Sequence, residues 1–145
     1  MTIDTSGEWW VGDRPTDIAQ YLESYASSEG YGISEFRLAR CRCGSQSFLL
    51  DADIDEGAAR RTCTACRSQH FICDSAEYWD DAGATGLRCV CESESINIGI
   101  GFSIYPSQDG IRWIYVGVRC TACGVLGCFV DWKVRTSDMS LLDKV

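Results

Sequence analysis

The chain has 145 residues, 46% of them hydrophobic and 23% charged, with a formal net charge of −8. That composition describes one globular domain or two small ones sharing a core, and it excludes a disordered or membrane-embedded chain. No stretch approaches the ~18 apolar residues of a membrane span. The opening Met1 to Ser6 lacks the basic-then-apolar layout of a secretion signal, so the expected compartment is the cytoplasm.

Residues 1–36 are expected to form an N-terminal segment with one short amphipathic helix, about 15–27. Ile18, Tyr21, Leu22 and Tyr25 fall at i, i+3, i+4 and i+7, the spacing of a single helical face. Asp13 or Thr16 is the expected cap, Pro15 belongs to the first turn, and Gly30 and Gly32 mark the stop. This face should pack on the β-rich remainder of the chain.

From Arg37 onward, short apolar runs are broken by Gly, Asp and Ser, with paired cysteines at the junctions. That pattern belongs to hairpins. In the first half, Phe48 to Leu50 and Ala58 to Thr62 are the expected arms, joined by a loop ending in Gly57. The second half is clearer. Ile96, Ile98, Ile100, Phe102 and Ile104 alternate with Asn97, Gly99, Gly101 and Ser103 at period two, which predicts a strand over Ser95–Tyr105. Its partner is Ile111–Arg119, reached through a turn at Pro106, Ser107, Gln108, Asp109 and Gly110. A third strand is expected after each second cysteine pair, over His70–Asp74 and Cys128–Val134.

The cysteines carry an internal repeat. Arg40-Cys41-Arg42-Cys43 corresponds to Arg88-Cys89-Val90-Cys91, and Cys63-Thr64-Ala65-Cys66 corresponds to Cys120-Thr121-Ala122-Cys123. An Asp follows the last cysteine of each set by eight positions, at Asp74 and Asp131. In a reducing compartment paired cysteines read as metal ligands before they read as disulfides. A tetrahedral ion needs four ligands from well-separated directions, and two tight turns meeting across a hairpin supply them. The expected ligand sets are therefore Cys41, Cys43, Cys63 and Cys66, and Cys89, Cys91, Cys120 and Cys123, each holding one structural Zn2+. An iron–sulfur cluster or redox dithiols are the alternatives. Four thiolates leave no open position for water or substrate, so the metal is expected to staple rather than to catalyse.

These residues resemble the zinc-ribbon class, in which two cysteine knuckles clamp a small antiparallel sheet. The likeness covers roughly Leu38 to Lys133. It implies a β-rich, small α+β fold: two tandem zinc-ribbon-like three-stranded antiparallel sheets, at 37–82 and 83–136, preceded by the short helix and followed by a tail at 137–145. The class serves many functions and selects none of them.

Other residues admit both a chemical and an architectural reading. Cys73 and Cys128 do not occupy equivalent places in the repeat, which makes them core packing rather than ligands. His70, the single histidine, could replace a cysteine as ligand or act as a base, but with a four-cysteine set already complete a structural or surface role is expected. Asp51, Asp53, Asp55 and Glu56 resemble a calcium loop, but Glu56 stands where that loop needs Gly and Thr62 where it needs Glu. They read as a solvated hairpin tip. Asp74 to Asp81 mixes carboxylates with Tyr78 and Trp79, and is either a linker with its aromatics turned inward or a surface for a basic partner. Arg40, Arg42, Arg61, Arg67, Arg88 and Arg119 adjoin the knuckles, where guanidinium groups offset thiolate charge.

Two four-thiolate zinc sites would lower the net charge to about −12, which repels phosphate backbones and steers cationic partners inward. The expected protein is thus non-enzymatic: an acidic platform for a basic protein partner, of the inhibitor or immunity type. The alternative is a nucleic-acid-binding regulator using Arg40, Arg42 and Arg88 with exposed aromatics such as Trp113 or Tyr115. A thiol-redox protein or enzyme would require a reactive thiol at Cys73 or Cys128. No membrane partner is expected, and the oligomeric state is left open.

Overall fold

The computed structural model describes residues 3–107 and 110–145. The predicted turn residues Gln108 and Asp109 lie outside them. The chain is β-rich, with one α-helix and a large antiparallel sheet. After a two-stranded ribbon of β1 (Ile3–Asp4) and β2 (Val11–Gly12) comes α1 (Asp17–Glu29). The large sheet then takes up β3 (Glu35–Leu38), β4 (Phe48–Asp53), β5 (Ala58–Cys63), β6 (Gln69–Phe71), β7 (Thr85–Gly86), β8 (Ile96–Ile104), β9 (Ile111–Cys120) and β10 (Leu126–Thr136). Short 3-10 turns at Ser75–Glu77, Trp79–Asp81 and Met139–Asp143 complete the chain.

The main deviation from expectation is the sheet. Instead of two separate three-stranded sheets, one eight-stranded sheet runs in the order β10-β9-β8-β4-β5-β6, with β3 added to β8 and β7 added to β4. The join is a single pairing, Phe48 opposite Ile96. Each of these residues stands seven positions after the first cysteine of its half, so the two halves meet at corresponding points. Matching bonds surround the join. Ala39 N–H donates to Ile98 and Leu87 N–H to Leu50, again at corresponding offsets. The strand leading into each knuckle therefore crosses onto the other half: β3 lies along β8, and β7 along β4. Period-two patterning reports the long arms but is silent on such two- to four-residue crossings.

The pleat separates two cores. Phe48, Leu50 and Ala52 of β4, Ile98, Ile100 and Phe102 of β8, and Ile114, Val116, Val130 and Trp132 beyond them share one buried cluster. The sheet folds back on itself there, since the tip of the first hairpin reaches β10: a Cβ on Gly57 would stand 2.7 Å from that of Trp132. Gly57 also needs its positive φ of 70° to turn the hairpin. The opposite face of β8, β9 and β10 receives α1 through Ile18, Leu22 and Ala26, all fully buried. Burial of each large aliphatic side chain contributes about 1.5–3 kcal/mol, so a sizeable core exists in addition to the cysteine clusters.

The helix begins two residues later than predicted; of the two expected caps Thr16 occupies the N-cap position, but its side chain makes no capping hydrogen bond. Asp17, in the first turn, ties down the lead-in instead: its buried carboxylate accepts the Asp13 and Arg14 N–H groups at 3.0 and 3.1 Å. The helix sits close because β8 and β9 present glycines to it. Gly99 pairs with Gly117, and a Cβ on Gly117 would lie 2.5 Å from Ile18 and 2.9 Å from Leu22. Gly117→Ala is expected to destabilise the protein by about 1–3 kcal/mol through this overpacking. Gly127→Ala in the neighbouring strand, with its nearest neighbour at 3.8 Å, should be close to neutral; urea unfolding of both variants makes the comparison.

Candidate metal centres

Each cysteine pair lies on a tight turn held by its own backbone. Gly44 N–H donates to Cys41 and Glu92 N–H to Cys89, both at 2.8 Å, while Arg67 donates to Cys63 and Gly124 to Cys120 at 3.0 and 2.9 Å. The donors take positive φ in all four turns: 93° at Gly44, 75° at Glu92, 65° at Arg67 and 80° at Gly124. A left-handed residue reverses the chain within one step, which aims both sulfurs of a turn to the same side. Two of the four positions carry a side chain there, a conformation that costs non-glycine residues about 1 kcal/mol or more.

The hairpins then bring the turns together. Cys41, Cys43, Cys63 and Cys66 form one cluster and Cys89, Cys91, Cys120 and Cys123 a second, with the sulfurs of each cluster within 4.8 Å of one another. The eight residues singled out in the sequence are these eight. In the first cluster Cys41 lies 3.5 Å from Cys66 and Cys43 lies 3.6 Å from Cys63. The second repeats this, with 3.5 Å between Cys89 and Cys123 and 3.6 Å between Cys91 and Cys120. A disulfide requires about 2.05 Å, and all ten cysteines are free. A tetrahedral ion bonded to sulfur at about 2.3 Å separates its ligands by about 3.8 Å. The clusters can hold metal ions.

The electrostatics point the same way. In the first cluster the Ser68 hydroxyl, the Cys43 N–H and the Cys66 thiol hold Cys41 down to about 6. The Ser45 N–H favours a thiolate at Cys43, yet its contact with Cys63 and its other thiol neighbours push it up to about 11. In the second cluster burial opposes charge on Cys120, but N–H groups of Cys123 and Ala122 bring it down to about 6. Cys89 goes up to about 12, chiefly by burial. Each cluster thus holds thiols that ionise readily, Cys41 and Cys63 in the first and Cys120 in the second, beside one that burial and its thiol neighbours keep protonated. A cation removes that conflict.

Around the clusters, Ser47 and Ser95 share a 2.6 Å hydrogen bond across the join. Thr64 and Thr121 donate their hydroxyls to the Ser47 and Ser95 carbonyls at 3.1 Å. A chain of hydrogen bonds thus links the two centres. Arg61 is the one knuckle arginine that turns inward: it is buried, lies 4.6 Å over the Phe48 ring and interacts with Cys41, Cys63 and Cys66. Arg40, Arg42 and Arg67 are exposed. Arg88 pairs with Glu94 at 3.7 Å, and Arg119 binds the Gly12 carbonyl and Asn97.

The remaining candidates are architectural. Cys73 donates weakly to the Leu141 carbonyl and its thiol is pushed up by burial, while burial also pushes Cys128 up to about 12. His70 donates through Nε2 to the Lys144 carbonyl at 2.9 Å. Asp53 accepts N–H groups from Asp55, Glu56 and Gly83, as a hairpin-tip residue does. Trp79 packs on Phe71 at 5.4 Å and under Arg60 at 4.8 Å, whereas Tyr78 stays exposed. Tyr115 and Trp113 are not exposed aromatics: Tyr115 is 1% accessible with its hydroxyl on the Tyr31 carbonyl, and half-buried Trp113 donates to Asp131 at 2.9 Å. The expectation of exposure fails because the glycine-lined face that bears them is covered by α1. Asp74, the counterpart of Asp131, accepts the Trp132 indole N–H at 3.2 Å.

No protein family, characterised protein or solved structure matches the chain, so its chemistry is read from these clusters.

Two metal equivalents per chain are expected by elemental analysis of the reduced protein. Cys63→Ser and Cys120→Ser should each remove one of them. Chelation should lower the melting midpoint by more than ~10 °C, since structural zinc sites contribute several kcal/mol and each kcal/mol shifts a chain of this size by about 2–4 °C.

Proposed function

We propose that the protein is a non-enzymatic, zinc-dependent interaction module whose acidic surface receives a basic protein partner. The observation that supports this most is the completeness of the two cysteine clusters. Four thiolates of a single ligand type favour Zn2+, and they leave no coordination position for substrate. The two ions are structural: each ties the two ends of a hairpin where the sheet's halves meet.

The charge points to the class of partner. A chain of net charge −8 becomes more negative once its thiolates are metallated. Such a surface accelerates association with cationic proteins and disfavours phosphate backbones. An inhibitor or immunity-type protein that masks a basic target has this profile, and a reducing cytoplasm suits its free thiols. Among the described residues no helix is long and apolar enough to cross a membrane.

The nucleic-acid reading retains one favourable observation, the exposure of Arg40, Arg42 and Arg67 around the first cluster. Its proposed stacking residues Trp113 and Tyr115 are committed to packing under α1. The redox reading needs a reactive thiol outside the clusters, and Cys73 and Cys128 are both held protonated by burial.

The zinc-loaded protein should capture a basic protein from nuclease-treated extract, with the yield falling as salt rises. Recovery of nucleic acid alone, insensitive to charge reversal at Arg40 and Arg42, would overturn both interaction readings. At pH 8 the metallated protein should show no fast-reacting thiol toward an aromatic disulfide reagent. Rapid labelling of Cys73 or Cys128 would instead restore the redox reading.

A further inference from the structure

The two halves of the sheet differ in what lies beside each cysteine cluster. Next to the first, segment 141–145 is bound in the groove. The Cys73 N–H donates to the Lys144 carbonyl at 2.8 Å, His70 donates to the same oxygen at 2.9 Å, and Arg61 Nε donates to the Val145 main-chain oxygen at 2.8 Å. Leu141 enters the core, with Leu142 and Val145 packed against it.

Counted from the cysteines, Arg61 corresponds to Val118 and His70 to Gly127. Both of these line a cavity of about 170 Å³ beside the second cluster, together with Val125 and Phe129. Trp9 and Val90 also line it, 48% and 62% exposed. Among the described residues, no segment fills this groove as 141–145 fills its counterpart.

The charges differ in parallel. Arg42, Arg61 and Arg67 of the first half become Val90, Val118 and Gly124 in the second. Arg88, which also lines the groove, has its charge offset by Glu94 at 3.7 Å on the surface, and Glu92 is exposed on the knuckle itself. A metallated four-thiolate centre keeps a charge of about −2. In the first half the Arg61 guanidinium offsets that charge; in the second its position is apolar.

We propose that this groove docks an extended, cationic segment of a protein partner. An aliphatic side chain of the segment seats among Trp9, Val90, Val118 and Phe129, and an arginine or lysine beside it faces the second cluster as Arg61 faces the first. The proposal rests on the platform reading above and gives that platform a site and a recognition chemistry. An apolar anchor flanked by a charge is the arrangement from which interface hot spots are built.

The test titrates zinc-loaded full-length protein into two fluorescein-labelled peptides, Arg-Leu-Arg-Val-Arg and Glu-Leu-Glu-Val-Glu, followed by anisotropy. The cationic peptide should bind at least tenfold more tightly, with amide shifts centred on Trp9, Val90, Gly127 and Phe129. Val90→Arg, which installs the residue found at position 42, and Trp9→Ala should each weaken it at least fivefold while zinc content and melting midpoint stay unchanged. Equal affinity for both peptides, or full affinity in Val90→Arg, would overturn the site. So would a self-dimer in sedimentation that Val90→Arg abolishes, since the occupant would then be a second copy. If Val90→Arg still captures the basic proteins that the wild type captures, the docking groove falls and the acidic platform stands. If the wild type captures none, the platform itself falls.

Discussion

Four sulfurs within 4.8 Å of one another cannot all carry charge unless a cation stands among them, and this constraint organises the rest of the molecule. The Ser68 hydroxyl at Cys41, and backbone N–H groups at Cys63 and Cys120, already favour thiolates, while Cys43 and Cys89 resist ionisation. The cost of gathering the sulfurs is also structural, since Arg67 and Glu92 take left-handed backbone that glycine occupies at the matching turns. Binding a metal offsets both costs at once, because the energy of coordination is available only to the folded arrangement. The knuckles in turn set where β4, β5, β8 and β9 begin and end.

The halves then lock through more than metal. A four-residue lead-in, β3, lies on β8, and a two-residue one, β7, lies on β4, so neither half closes its edge without the other. Ser47 and Ser95 join the centres by a hydrogen bond at the axis of this exchange. The buried cluster that includes Phe48, Ile98, Val116 and Trp132 spans both halves. Small ribbons lack a core and depend on metal for cohesion. Here the two cysteine-bearing halves share one core, so a metal at either cluster would have only the hairpin ends to hold.

Much of this was legible in the residues. The cysteine repeat gave the membership of both clusters, because ligand spacing is a property of local turns. Alternation gave β8, and 3.6-residue periodicity gave α1 to within two residues at each end. The joining of the halves was not legible: the Phe48–Ile96 pairing and the lead-in crossings involve few residues and leave no period. The role of Asp17 escaped because it lies inside the helix and reaches back to the lead-in at Asp13 and Arg14. The placement of Trp113 and Tyr115 failed for a related reason. A strand face of Asn, Gly and Ser looks solvated in sequence, but glycine is also what lets a helix approach closely.

That last ambiguity marks where the two similar halves differ. Asp51 and Arg60 stand opposite each other and form an ion pair at 3.6 Å; their counterparts, Gly99 and Gly117, stand opposite each other beneath Ile18. A charged pair keeps the outer face of the first half polar, whereas a glycine pair opens the outer face of the second to α1. The inner face diverged in the opposite direction, with Arg61 and His70 binding segment 141–145 in the first half where Val118 and Gly127 leave an apolar groove in the second. The inner face of the second half is otherwise covered, with Ile98, Ile100 and Val116 fully buried in the shared core, so it is open only at this groove. The groove borders the cysteine cluster whose counterpart of Arg61 is Val118, so the uncovered apolar surface and the missing guanidinium occur at the same place.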